Sequence, residues 1–154
     1  DSPEWLEQNM RSTRNFIRKW GHFCLHDAYM KPIIPPKYNI RFNLTNTTID
    51  KLHMLEPWCD NMDTDIPTDE LKKYIEREQK NTIIKLEPKF NYNRNSDITV
   101  NIDCNTFTNE DFINLSRMSQ IIKDSGAVGE FNLGNLFINI VRIKEYTDNL
   151  IKLK

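Results

Sequence analysis

Tyr38-Asn39-Ile40-Arg41-Phe42-Asn43-Leu44 is the stretch from which the fold of this chain can be read. Tyr38, Ile40, Phe42 and Leu44 alternate with polar residues, which places the apolar set on one face of an extended strand. Just upstream, Pro32, Pro35 and Pro36 stop any helix and force extended backbone. A structural boundary is therefore expected at these prolines. Residues 1–36 form an N-terminal helical segment, and residues 37–154 form a mixed domain.

Upstream of the prolines the rhythm is helical. Ser2 suits a cap, Pro3 the first helical position, and Glu4 the positive end of the helix dipole. Trp5, Asn9, Ser12, Phe16 and Trp20 gather near one side, with Arg11, Arg14, Arg18 and Lys19 elsewhere. Gly21 ends or kinks this helix, and a second short helix is expected over His22 to Tyr29.

Downstream, short strands and amphipathic helices alternate. Thr48 to Glu56 reads as a helix ended by Pro57, and Trp58 to Met62 as a second strand. Thr68, with Glu70 close behind, opens a helix through Leu71, Tyr74 and Ile75 to about Gln79. Thr82 to Leu86 is a third strand. Glu87 to Asp97 is an Asn-rich loop that could join two lobes.

Ile98, Val100 and Ile102 alternate again. Thr108 caps a helix whose Phe112, Leu115, Met118, Ile121 and Ile122 recur at helical spacing, and Ser125-Gly126 closes it. Val128 to Leu133 and Leu136 to Ile143 form a hairpin about Gly134-Asn135, and Glu145 to Leu153 a last helix. The expected class is α/β (mixed α+β): N-terminal helices, then a mixed sheet of about five to six strands covered by helices.

At 154 residues the chain is the size of one domain. With 21 basic and 22 acidic residues its net charge is −1, which offers no field for a polyanion, so no nucleic acid is expected as partner. No apolar run approaches the ~20 residues that span a bilayer. Cys24, Cys59 and Cys104 are odd in number and far apart, which favours a reducing compartment over a disulfide framework. The 18 Asn and 18 Ile match the codon usage of an AT-rich genome, and that bias alone accounts for the sequons at Asn43, Asn46 and Asn114. The chain opens directly in a helix pattern without Met, so it reads as part of something longer.

Three groups could carry chemistry. His22, Cys24 and His26 share a face on a strand, and His22 and His26 share one on a helix, so either geometry can offer metal ligands. The plainer reading is polar residues at a helix end with a small buried thiol. Asp63-Thr64-Asp65 follows a strand, where hard oxygen ligands suit Mg²⁺ or Mn²⁺ bridging a diphosphate. The plainer reading there is an acidic loop before the next helix. Trp5, Phe16 and Trp20 with Arg18 and its neighbours could bind a phosphate or sugar, or form the face by which an amphipathic helix packs on a partner. The chain contains no phosphate loop, GxGxxG, GxSxG or HExxH.

The segment Arg14-Asn15-Phe16-Ile17-Arg18-Lys19-Trp20-Gly21 resembles the aromatic–basic–Lys-Trp-Gly ending that follows the catalytic core in family 2 (GT-A type) glycosyltransferases. Glu56-Pro57-Trp58-Cys59-Asp60 and Asp124 to Phe131 look like modules attached to such enzymes in large DNA viruses. The family's cation-binding acidic pair precedes that ending, whereas Asp63 and Asp65 follow it. The resemblance therefore implies an accessory region, not the transferase core. Its expected partner is an upstream catalytic domain, another protein or a second copy. Its location would be the cytoplasm of a host or a virion. No cofactor is implied beyond the divalent cation of an alternative reading, a small metal-dependent nucleotide-sugar enzyme. A third reading is a structural virion protein.

Overall fold

The computed structural model describes residues 3–23, 25–33, 36–78, 86 and 96–144, with the backbone alone for Leu25, His26 and Ile33. It is an α/β fold built on a mixed sheet. Helix α1 spans Pro3–Trp20. Gly21 ends it in the left-handed region (φ 79°), and its N–H donates to the Ile17 carbonyl at 2.7 Å.

The helix expected over His22 to Tyr29 does not form. Two short strands, β1 (Leu25–His26) and β2 (Pro32–Ile33), pair antiparallel instead. The cause is Asp27. Its Oδ1 accepts from the backbone N–H of Tyr29 (2.8 Å) and Lys31 (3.0 Å), and its own N–H donates to the Lys31 carbonyl (2.9 Å). A side chain that offers local N–H groups an acceptor competes with the helix ladder, and here the turn wins.

The main sheet contains β3 (Ile40–Thr45), β4 (Asn61–Asp63), β5 (Ile98–Asp103), β6 (Gly129–Leu133) and β7 (Leu136–Ile140). Their order is β4-β3-β5-β7-β6. β3 runs parallel to β4 and β5, while β7 and β6 are antiparallel additions. The second strand thus begins at Asn61 and not at Trp58, because Glu56–Trp58 forms a 3-10 turn that carries the chain past Pro57. β3 and β5, which lie on either side of the 87–97 stretch, are neighbours in one sheet over one core.

Among the described residues four further helices pack with the sheet: α2 (Ile49–Leu55), α3 (Thr68–Arg77), α4 (Asn109–Ser116) and α5 (Met118–Ser125). The single helix expected after Thr108 is broken at Arg117, which adopts φ −110° and ψ 7°. Thr108 does cap it. Its hydroxyl accepts from the Asp111 N–H, and Asp111 reaches back to the Thr108 N–H. The strand expected over Thr82 to Leu86 lies outside the described residues except for Leu86, which is helical and buried. The loop over 87–95 and the last helix, Glu145 to Leu153, also lie outside them.

Each central strand buries alternate residues. Ile40, Phe42 and Leu44 of β3 align with Ile98, Val100 and Ile102 of β5, and these with Ile140, Ile138 and Leu136 of β7. Leu52 and Leu55 of α2, Leu71 and Tyr74 of α3, and Met118 and Ile122 of α5 belong to the same core. Each such side chain contributes ~1.5–3 kcal/mol by leaving water. The opposite face of the sheet is polar and half-exposed.

Candidate functional site

A densely hydrogen-bonded cluster of chemically capable side chains lies where α1 meets the sheet domain. Arg18 is only 7% exposed, and Glu56 is fully buried. The Arg18 guanidinium donates to Glu56 Oε1 (2.5 Å), Asn15 Oδ1 (2.7 Å), Tyr74 Oη (3.2 Å) and Glu78 Oε1 (3.2 Å). Arg14 donates to Glu78 Oε1 at 2.5 Å, and the Tyr74 hydroxyl donates to Glu56 Oε1 at 2.8 Å. The His53 ring stands edge-on to Tyr74, with its Nδ1 3.8 Å from Glu78 Oε1.

The local fold places these groups. Arg14 and Arg18 are four apart, hence on one side of α1. Glu56 sits in the 3-10 turn after α2, and Tyr74 and Glu78 are four apart at the end of α3. Burial disfavours the Arg18 charge, but hydrogen bonds and attraction from Glu56 outweigh it and raise its pKa. Burial also disfavours the Glu78 carboxylate, yet Arg14 and Arg18 hold its pKa below the usual range. Burial and the neighbouring Glu56 charge push the Tyr74 phenol up, so it stays a donor. Burial and Arg14 lower the His53 pKa.

Arg14 and Arg18 are matched by Glu78 and Glu56, which fastens α1 to the sheet domain, while His53 Nδ1 has no hydrogen-bond partner and Arg11 Nε stands 3.6 Å from Glu78 Oε2. The recess between α1 and Trp58 has about 40 Å³, and that beside His53 and Tyr74 about 120 Å³. Both fall short of the ~300–1,000 Å³ of a ligand pocket. Arg14 and Arg18 are thus engaged on Glu78 and Glu56, which removes them from the phosphate-binding role open to them in the sequence.

The other side of α1 is exposed. Trp5 (55%), Phe16 (39%) and Trp20 (50%) fall within an arc of about 60° at 3.6 residues per turn, while Leu6 (54%) and Met10 (54%), in the first half of the helix, flank the angular position of Ile17. Phe16 and Trp20 rings lie 6.4 Å apart, and Lys19 Nζ sits 5.2 Å over the Trp20 ring. Ile17 alone among the apolar residues of α1 is buried. The aromatic residues singled out in the sequence are therefore together on one surface, and Arg18 is on the opposite, buried side.

Asp63 and Asp65 do not converge. Asp63, at the carboxyl end of β4, pairs with Arg41 of β3. Asp65 turns to the β3–α2 loop, where it accepts from the N–H groups of Asn46 (2.6 Å) and Thr47 (3.0 Å). These backbone donors, Thr47 first, lower its pKa. Asn46 needs that support because it is a non-glycine residue in the left-handed region (φ 54°). The carboxylate that completes this corner is Asp103 of β5, which accepts from Asn46 Nδ2 at 2.9 Å. The acidic tripeptide is a loop brace in this arrangement. Among the described residues no three His, Cys, Asp or Glu side chains gather as a metal site.

His22 lies just past α1, with its Nδ1 2.6 Å from the Phe23 carbonyl oxygen. His26 falls in β1 and Cys24 lies outside the described residues, so the helical i, i+4 pairing of the two histidines is absent. Cys59 and Cys104 are buried, with Cys59 Sγ 3.5 Å from the Glu56 carbonyl oxygen and Cys104 Sγ 4.0 Å from Thr47 Oγ1. Burial raises the Cys104 pKa, the reverse of what a nucleophile needs.

Sequence reading missed Glu56, Tyr74 and Glu78 as partners of α1. The one signal was Glu56 between Leu55 and Pro57-Trp58, a charge in an apolar run. Its cation lies 38 residues earlier in the chain. No family model, curated protein or solved structure matches this chain. Among the described residues no helix is long and apolar enough to cross a membrane.

Proposed function

We propose that this chain is a non-catalytic interaction module of a glycosyltransferase-like protein, with the apolar side of α1 as its contact surface. The observation that carries the reading is the division of α1 into two sides. One side is locked to the sheet domain by Arg14, Ile17 and Arg18. The other presents Trp5, Phe16 and Trp20 to solvent. Exposed apolar patches of this kind mark sites of association. A rigid helix also loses little entropy when a partner covers it. The resemblance of Arg14 to Gly21 to the end of a transferase core falls on this same helix, so the upstream core is the partner it favours.

Titration calorimetry with UDP- and GDP-sugars and Mn²⁺ tests the non-catalytic part. No saturable heat is expected. Saturable heat that disappears in the Asp63→Asn/Asp65→Asn variant would establish the alternative, a metal-dependent nucleotide-sugar enzyme. The reading frame ahead of Asp1 tests the attachment. A nucleotide-sugar-binding core with its own acidic pair is expected there, and an unrelated sequence would remove the glycosyltransferase part.

A further inference from the structure

We infer that the open face of the five-stranded sheet binds a neutral carbohydrate chain, a role that rests on reading the protein as a non-catalytic binding module. Asn is disfavoured in strands, because its side chain competes for backbone hydrogen bonds. Yet Asn43, Asn101, Asn132 and Asn139 all occupy strand positions, and the alternation that buries their neighbours puts all four on the open face, while Asn61 of the edge strand β4 is buried. Codon usage enriches Asn throughout the chain; what distinguishes these four is their common placement on one face.

The register sets them in order. Asn43, Asn101, Phe137 and Asn132 are directly paired across β3, β5, β7 and β6. Neighbouring strands lie ~4.8 Å apart, so the row extends over roughly 14 Å. That spacing is close to the repeat of sugar rings in an extended β-linked chain. Each amide offers two donors and an acceptor in one plane, which suits adjacent hydroxyls. Phe137, 38% exposed in a row of amides, supplies a ring on which the C–H face of a sugar can stack.

Two features narrow the ligand class. Arg41, a cation on this face, is paired with Asp63, while Glu130 and Asp103 add negative charge. Such a surface repels nucleic acid and anionic headgroups and leaves an uncharged polyhydroxyl ligand. In addition, Asn43 Nδ2 donates to Asn101 Oδ1 at 2.9 Å, whereas Asn43 Oδ1 is shielded from water without a hydrogen-bond partner. A shielded acceptor at the middle of the face calls for a donor, and a sugar hydroxyl is one.

The test is a ¹⁵N-NMR titration of the full chain with cello-, chito-, xylo- and mannohexaose, each to about 10 mM, the scale of a weak single-site complex. Saturable shifts of the Asn43, Asn101 and Asn132 side-chain amides are expected with at least one of them. Phe137→Ala should weaken that binding by about tenfold or more while the amide spectrum stays dispersed. Silence with all four sugars, or binding indifferent to Phe137→Ala, overturns the inference. These probes carry neither phosphate nor metal. Their failure therefore leaves the interaction-module reading standing, whereas Mn²⁺-dependent nucleotide binding would remove that reading without touching this one.

Discussion

Glu56 is fully buried against the Arg18 guanidinium, so the groups around it determine whether α1 stays in place. Arg18→Met removes its cation but leaves the carboxylate in the interior with Tyr74 as a remaining donor. Breaking a buried pair in this way costs about 3–5 kcal/mol, more than any surface ion pair contributes. Urea denaturation should show that loss. The Arg18→Met/Glu56→Gln double variant should lose less than the two single changes summed, since the uncompensated charge is gone. His53 brings a pH dependence of definite sign. An unfolded imidazole titrates near ~6.5, while burial and Arg14 hold the folded one lower. The unfolded chain therefore binds more protons below about pH 6.5, and stability falls as pH drops from there through the folded pKa. Melting temperature should decline as pH falls below about 6.5, and His53→Gln should flatten that part of the curve. Glu78 has a depressed folded pKa, so its contribution is present above ~4.3 and disappears as pH falls through the folded value. A drop confined to that lower range would assign His53 no part in it.

Elements in this fold are joined through single anchoring side chains, of which Asp111 is the clearest. It caps α4 through Thr108 and also accepts from Asn135 N (3.0 Å) and Asn135 Nδ2 (2.9 Å) in the β6–β7 turn. Burial opposes its charge, but the donors of Asn135 and Thr108 keep its pKa low. Gly134 has φ 60°, and a Cβ there would clash with Asp111 Oδ1. Gly134→Ala should therefore cost roughly 2–3 kcal/mol, combining left-handed strain with weakened bonds to Asp111. Amide exchange at Thr108 and Asn135 should accelerate together in that variant. Independent behaviour of the two amides would show that helix and hairpin are not coupled here. The Thr108 cap, the Gly126 stop and the Gly134 turn were readable in the sequence, because each is a local signal acting within a few residues. The β1–β2 ribbon was not, since apolar spacing says nothing about a carboxylate that captures two backbone N–H groups. The break at Arg117 left no mark either, because Leu115, Met118 and Ile122 keep helical spacing across it and are all buried.

For the molecule as a whole, the sheet followed from alternation in β3, β5 and β7, while α1's place on it did not. Amphipathicity marked the apolar residues of α1 as a face for a ligand or a partner, but not that Arg14 and Arg18 would hold the helix to the sheet domain. The fold inverts the usual packing of an amphipathic helix, because Glu56 and Glu78 are buried and need cations more than Trp5 or Phe16 need shelter. An isolated buried carboxylate is far costlier than one exposed ring. That inversion has a measurable consequence. Trp5 and Trp20 are half-exposed, whereas Trp58 is held edge-on between Phe23 (5.0 Å) and Phe112 (5.8 Å). Iodide should quench the emission of a Trp58→Phe variant strongly and that of a Trp5→Phe/Trp20→Phe variant weakly. A Trp5→Ser/Phe16→Ser/Trp20→Ser variant should unfold within about 0.5 kcal/mol of the parent, as surface changes do. Ile17→Ala, one residue from Phe16 but on the buried side, should lose ~2–4 kcal/mol. If the triple variant instead lost several kcal/mol and the parent resisted iodide, the aromatic side of α1 would be packed within the molecule and unable to serve as a contact surface.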